Sequence, residues 1–188
     1  MFFSFLKKAN FAGMQKLSMD QLNRLSVTEF KSQQKSSVVI VLDNVRSMHN
    51  VGSVFRTADG FAVEKIVLCG ITSQPPHREI DKTALGATES MDWTYEHDAT
   101  QAIQALQSEG YIVCAVEQAD KSIQLNHFQP ESDKKYVLVF GNEVHGVSDQ
   151  VMGMVDVCLE IPQFGTKHSF NISVTAGILL WDFYSKMG

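Results

Sequence analysis

Along the 188-residue chain, short apolar runs rich in β-branched residues alternate with stretches whose apolar positions recur every three to four residues. Runs at Val38–Leu42, Lys65–Cys69, Tyr111–Val116, Tyr136–Phe140 and Val157–Ile161 have strand length, and Met91–Tyr95 is a sixth candidate. Helical spacing covers Asn50–Gly60, Ala99–Glu109 and Asn171–Lys186; the last is apolar enough to pack against a sheet or a partner subunit. This alternation predicts an α/β domain, a mostly parallel sheet with helices on both faces. Pro75 and Pro76 make Gly70–Glu79 an expected exposed loop. Ahead of the domain, Asp20–Phe30 predicts a short helix and polar Ser32–Ser37 a hinge, so residues 1–36 read as a partly helical arm and 37–188 as the domain.

Composition narrows the class. A chain with 44% hydrophobic and 20% charged residues fits one well-buried domain. Apolar Phe2–Leu6 ends at Lys7 and Lys8, too short for a secretory leader, and no apolar run approaches membrane-spanning length. Cys69, Cys114 and Cys158 are odd in number and sit in or beside strand candidates, as buried reduced thiols of a cytoplasmic protein would. The net charge of −5 argues against nucleic acid, but residues 1–40 hold six basic side chains against two acidic ones, a local +4 on a body of −9. Such an arm either holds phosphates or is a solvated helical extension.

Three segments exceed the needs of packing. In Leu42–Ala58 a strand ends in a polar loop with Asn44, Arg46, His49 and Asn50 and runs into a helix, where Asn50 fits an N-cap and Arg56 lies about one and two-thirds turns further on. An arginine so placed either grips a phosphate or completes a surface ion pair. In Val137–Ser148 a fully apolar strand meets Gly141, Asn142 and Glu143; the carboxylate either braces the loop or touches a ligand. In Ile161–Val174, Ser169 and Asn171 are natural helix caps. Three strand ends carrying Gly, Asn and a charged or hydroxyl group predict loops converging on one pocket. No dinucleotide or Walker fingerprint, no serine elbow and no metal-ligand spacing accompanies them, so no metal is expected.

In order and spacing these segments resemble the three motifs of the SpoU or TrmH family of RNA ribose methyltransferases, in the SPOUT superfamily. N-x-G-x-x-x-R-T-A is met by Asn50, Gly52, Arg56, Thr57 and Ala58; F-G-N-E-x-x-G-x-S by Phe140, Gly141, Asn142, Glu143, Gly146 and Ser148. I-P-x-x-G-x-x-x-S-[LF]-N-x-S-V is met from Ile161 and Pro162 through Gly165, Ser169, Asn171, Ser173 and Val174. The likeness runs from Val38 to the C-terminus. It implies a C-terminal deep trefoil knot and a bent S-adenosylmethionine held by Val116, Glu117, Phe140, Gly141, Asn142, Ile161, Gly165, Ser169 and Phe170. It further implies a homodimer with the final helix and the first motif at the interface. His145, Gln163 and Phe164 depart from the family pattern.

The resemblance implies methyl transfer to a ribose 2'-hydroxyl, with Arg56, Asn50, Glu143, Ser169 and Asn171 as the catalytic set. A guanidinium stays protonated, so Arg56 is expected to bind the neighbouring phosphate and stabilise the developing alkoxide while phosphate or water takes the proton. Arg46, His49, Arg56 and the arm's Lys7, Lys8 and Arg24 are the expected RNA contacts. A compact domain with a short arm favours transfer RNA over ribosomal RNA. A base-modifying relative, a non-catalytic RNA-binding or assembly module and an adenosine-binding protein are the competing readings.

Overall fold

The computed structural model describes residues 15–18 and 20–187, so Lys7 and Lys8 lie outside the described residues. Seven strands, β1 (Val38–Asp43), β2 (Lys65–Cys69), β3 (Trp93–Glu96), β4 (Tyr111–Val116), β5 (Ile123–Gln124), β6 (Lys135–Phe140) and β7 (Val157–Glu160), form one sheet. Its order is β3-β2-β1-β6-β4-β7-β5 and every pairing is parallel. Among the described residues seven α-helices accompany it: α1 (Val27–Ser32), α2 (Met48–Gly60), α3 (Arg78–Ala84), α4 (Ala87–Ser90), α5 (Ala99–Ser108), α6 (Asp149–Met152) and α7 (Ile172–Met187). None of the described helices is long and apolar enough to cross a membrane.

Apart from the terminal Asp43, Lys65 and Lys135, strands β1, β2 and β6 are apolar at every position because both faces are covered. Val38, Ile40 and Leu42 of β1 join Ile66, Leu68, Leu138 and Phe140 in a large core with residues of α1, α2, α3, α4 and α7. The intervening Val39 and Val41 join Val67, Val137 and Val139 in a second core under α5 and α6. Period-two alternation thus sorts larger side chains to one face and mostly valines to the other. On the larger face, Phe183 of α7 packs edge-on to Tyr136 with ring centroids 5.4 Å apart. The end of α7 is held by Lys186, whose Nζ donates to the carbonyls of Leu125 and Phe128 at 2.8 Å.

Several sequence expectations shift. The arm helix starts at Val27 instead of Asp20, because Ser26 and Glu29 form a reciprocal capping box there, while Asp20–Leu22 is a single 3-10 turn. Phe30 is buried in the main core, the Lys35 ammonium stacks 3.1 Å above its ring, and Ser36 N–H donates to the Ala62 carbonyl, so the expected hinge is tied to the body. The loop after β2 gives way to α3 at Arg78, where the His77 ring accepts from Glu79 N–H and acidic Glu79 and Asp81 favour the helix start. Asn50 is not the N-cap of α2. Ser47 caps it, its hydroxyl accepting from Asn50 N–H, so the helix begins at Met48.

Candidate active site

At the end of β1, Asp43 is 1% exposed and its carboxylate accepts from Ser148 N–H at 2.9 Å and the Asn44 side-chain amide at 2.8 Å. Asn44 adopts a left-handed backbone (φ +57°), and its side-chain oxygen accepts from Ile71 N–H. Buried Thr72 accepts from Val45 N–H and donates to the Leu42 carbonyl. Glu143 completes the bracing: one carboxylate oxygen accepts from Arg46 N–H at 3.0 Å, the other from Ser47 N–H and the Asn50 amide, both at 3.0 Å. Partial burial raises the Glu143 pKa, but the backbone donors of Arg46, Glu143 and Ser47 and the Asn50 amide outweigh it and hold the carboxyl below its usual value.

Asn50 passes the connection on. Its side-chain oxygen accepts from the Asn171 amide at 3.1 Å, and Asn171 in turn accepts from the Ser173 backbone and hydroxyl at the head of α7. Glu143, Asn50 and Asn171, one from each motif, therefore form a continuous hydrogen-bonded chain.

After β6, Asn142 and Gly146 pair their backbones reciprocally at 2.9 Å, and the Asn142 amide donates to the Asn44 carbonyl. A side chain on Gly141 would collide with the Gly146–Val147 backbone, and Gly146 has φ +70° beside the Glu117 carboxylate. Glu117, just past β4, accepts from Gln118 N–H and Val147 N–H. These turns enclose a cleft of about 780 Å³ beyond the carboxyl ends of β4, β6 and β7, closed by the start of α7. A pocket so placed and sized is typical of an open α/β sheet that binds a small molecule.

Among the anticipated residues, Asn50, Val116, Glu117, Phe140, Gly141, Asn142, Glu143, Ile161, Ser169, Phe170 and Asn171 line the cleft. Gly165 does not; it lies in the exposed stretch 164–170. Arg56 is exposed on α2 outside the cleft, and among the described residues its guanidinium makes neither hydrogen bond nor ion pair. Arg46, Arg24 and His49 are exposed as well, His49 facing Glu79 at 3.2 Å. Gln118 and His168, within the expected cofactor loops 116–118 and 161–170, also line the wall, as do Asp149 and Glu160, which were not anticipated. Their only signal was a polar residue next to an apolar strand end, whereas Thr72 gave none because its partner Val45 is distant in sequence.

The fold and cleft define a parallel α/β protein with a small-molecule site at its strand ends, built from three ordered motifs. The SpoU rRNA Methylase family matches residues 37–181, and the chain belongs to it. A Staphylococcus saprophyticus protein named for the TrmH family of tRNA/rRNA methyltransferases is 26% identical over 160 residues, 85% of this chain and 63% of that protein. The AdoMet-bound rRNA methyltransferase of Sinorhizobium meliloti superposes with a TM-score of 0.74 at 26% identity, covering 81% of this chain and 57% of that one. The A. aeolicus TrmH/SpoU tRNA modifying enzyme superposes with a TM-score of 0.73 at 24% identity, covering 84% and 78%. The chain thus spans under two-thirds of the length of the Staphylococcus relative.

Proposed function

We propose that this protein transfers a methyl group from S-adenosylmethionine to a ribose 2'-hydroxyl of RNA, with transfer RNA as the first-choice substrate. The observation that carries this reading is the chain Glu143–Asn50–Asn171, which ties the three motif segments together along one wall of the cleft. The cleft fits the cofactor: its volume suits a nucleoside with an amino-acid arm, and Glu117, Glu143, Asp149 and Glu160 give it an acidic lining for a cationic ligand. The S. meliloti relative is bound to the same molecule.

When bound, S-adenosylmethionine supplies an electrophilic methyl group. The chain's own residues do the rest. Backbone groups of Phe140–Asn142 and Ile161, with Glu117, would hold the cofactor; Glu143 and Asn50 keep the Arg46–Ser47 turn and the head of α2 in one geometry, and alignment alone lowers a displacement barrier substantially. Arg56, permanently charged, grips the phosphate beside the target and stabilises the alkoxide, the proton leaving to phosphate or water.

Because Arg56 lies outside its own cleft, the active site is completed by a second copy, a homodimer. Support comes from α7, which packs on α2 yet leaves Val174, Trp181 and Tyr184 exposed. A trefoil knot is supported by the position of β7 between β4 and β5. The connection between those strands ties to the end of β7 and to the segment after it, Ser122 donating to Glu160 and Gln118 to the His168 carbonyl. A cytoplasmic setting suits the three unpaired cysteines; burial pushes the Cys69 and Cys114 thiols up to about 12.

The test is incubation with labelled S-adenosylmethionine and separate transfer and ribosomal RNA pools, followed by nucleoside mass spectrometry. Wild type is expected to yield a 2'-O-methyl nucleoside, and Arg56→Ala to lose roughly 10²–10³ in turnover with unchanged cofactor affinity by calorimetry. A base-methylated product overturns the ribose assignment, and tight cofactor binding without transfer to either pool points to a binding module.

A further inference from the structure

We infer that Phe164 is the stacking platform for an unpaired base of the RNA substrate, next to the ribose presented to the cleft. Phe164 is 97% exposed, more than any other large apolar residue among those described. Leaving a phenyl ring in water forgoes the burial that stabilises Phe30, Phe55, Phe140 and Phe183. Its neighbours fix where it stands. Gln163 before it and His168 after it both line the cleft, so the ring sits on the rim. Phe170 and Val144, both lining the cleft, are 44% and 68% exposed, and Lys167 on the same stretch supplies a cation at the mouth.

The other exposed aromatics differ. Trp181 and Tyr184 stack on each other with centroids 6.0 Å apart, and Tyr184 also meets Phe61, so both belong to the α7 surface. Among the described residues Phe164 forms no aromatic pair.

Resting on the RNA-methylation reading, the chemistry supplies the occupant. A 2'-hydroxyl reaches a recessed cleft only if its nucleotide leaves the helical stack, which strips the bases of their neighbours. An aromatic ring on the rim restores that stacking without reading sequence, and the adjacent cation meets the phosphate.

The test uses the full chain with fluorescently labelled unfractionated transfer RNA and ribosomal RNA fragments. Phe164→Ala is expected to raise the RNA Kd about tenfold, with unchanged S-adenosylmethionine affinity and sedimentation. The salt dependence of binding stays the same, because no phosphate contact is removed. Phe164→Trp restores affinity. Wild-type RNA binding that Phe164→Ala leaves unchanged overturns this inference alone. Loss of cofactor affinity overturns it in favour of a cofactor cover, and altered sedimentation in favour of a subunit contact. A wild type with no RNA affinity overturns the RNA reading and this inference with it.

Discussion

The turn that follows β1 and the loop that follows β7 border the same cleft yet are built on opposite plans. From Asn44 to Ser47, each backbone N–H has a partner: Cys69 carbonyl for Asn44, Thr72 for Val45, Glu143 for Arg46 and Ser47. Between Ile161 and Phe170, by contrast, the one hydrogen bond among the described residues runs from the Gln118 side chain to the His168 carbonyl. Buried Asp43 and Thr72 make the first turn costly to distort, while the second is exposed from Phe164 onward. The contrast is one of construction: the polar chain that orients the head of α2 is fixed by buried and charged acceptors, while the rim from Phe164 onward is exposed and nearly without such ties among the described residues.

The comparison breaks most readily at its buried end. Asp43→Ala leaves Ser148 N–H and the Asn44 amide without acceptors and is expected to cost about 3 kcal/mol, roughly 6–12 °C of melting temperature by calorimetry. Gly146→Ala meets a left-handed backbone and the Glu117 carboxylate. It is expected to cost about 2 kcal/mol, read as a lower midpoint in urea with an unchanged slope.

Glu143→Gln should lose about 1 kcal/mol at neutral pH. Its native pKa is depressed, so the stabilisation is fully present above the ordinary carboxylate range and vanishes as pH falls through the lowered value. Melting curves of wild type and variant should therefore converge in acid; a gap that persists there contradicts the assignment. Thr166→Ala on the open loop should change stability by less than about 0.5 kcal/mol. A Thr166→Ala cost matching that of Asp43→Ala would erase the contrast.

The strands were legible because a two-sided parallel sheet demands continuous apolar runs, and β1, β2, β4 and β6 fall within a residue of their expected limits. Strand β5, two residues long, was not, since its only support is pairing with β7 far along the chain. Helices α3, α4 and α6 are too short for a periodicity to emerge, and α3 was hidden behind Pro75 and Pro76. In the site, the motif residues stood out by type and spacing. That Glu143 reaches Asn50, and Asn50 reaches Asn171, was invisible, because each partner lies more than ninety residues away.

The insertion of β7 between β4 and β5 also sets a timetable. While the chain is being synthesised, β1, β2, β3, β4 and β6 can assemble as soon as Phe140 is free, but β5 has no strand to pair with until Val157–Glu160 arrives. Leu159 and Ile161, and the residues of α7 that close the cleft, emerge with or after β7. Pairings between distant segments form slowly. The cleft is therefore complete only once β7 and the head of α7 have joined the earlier strands.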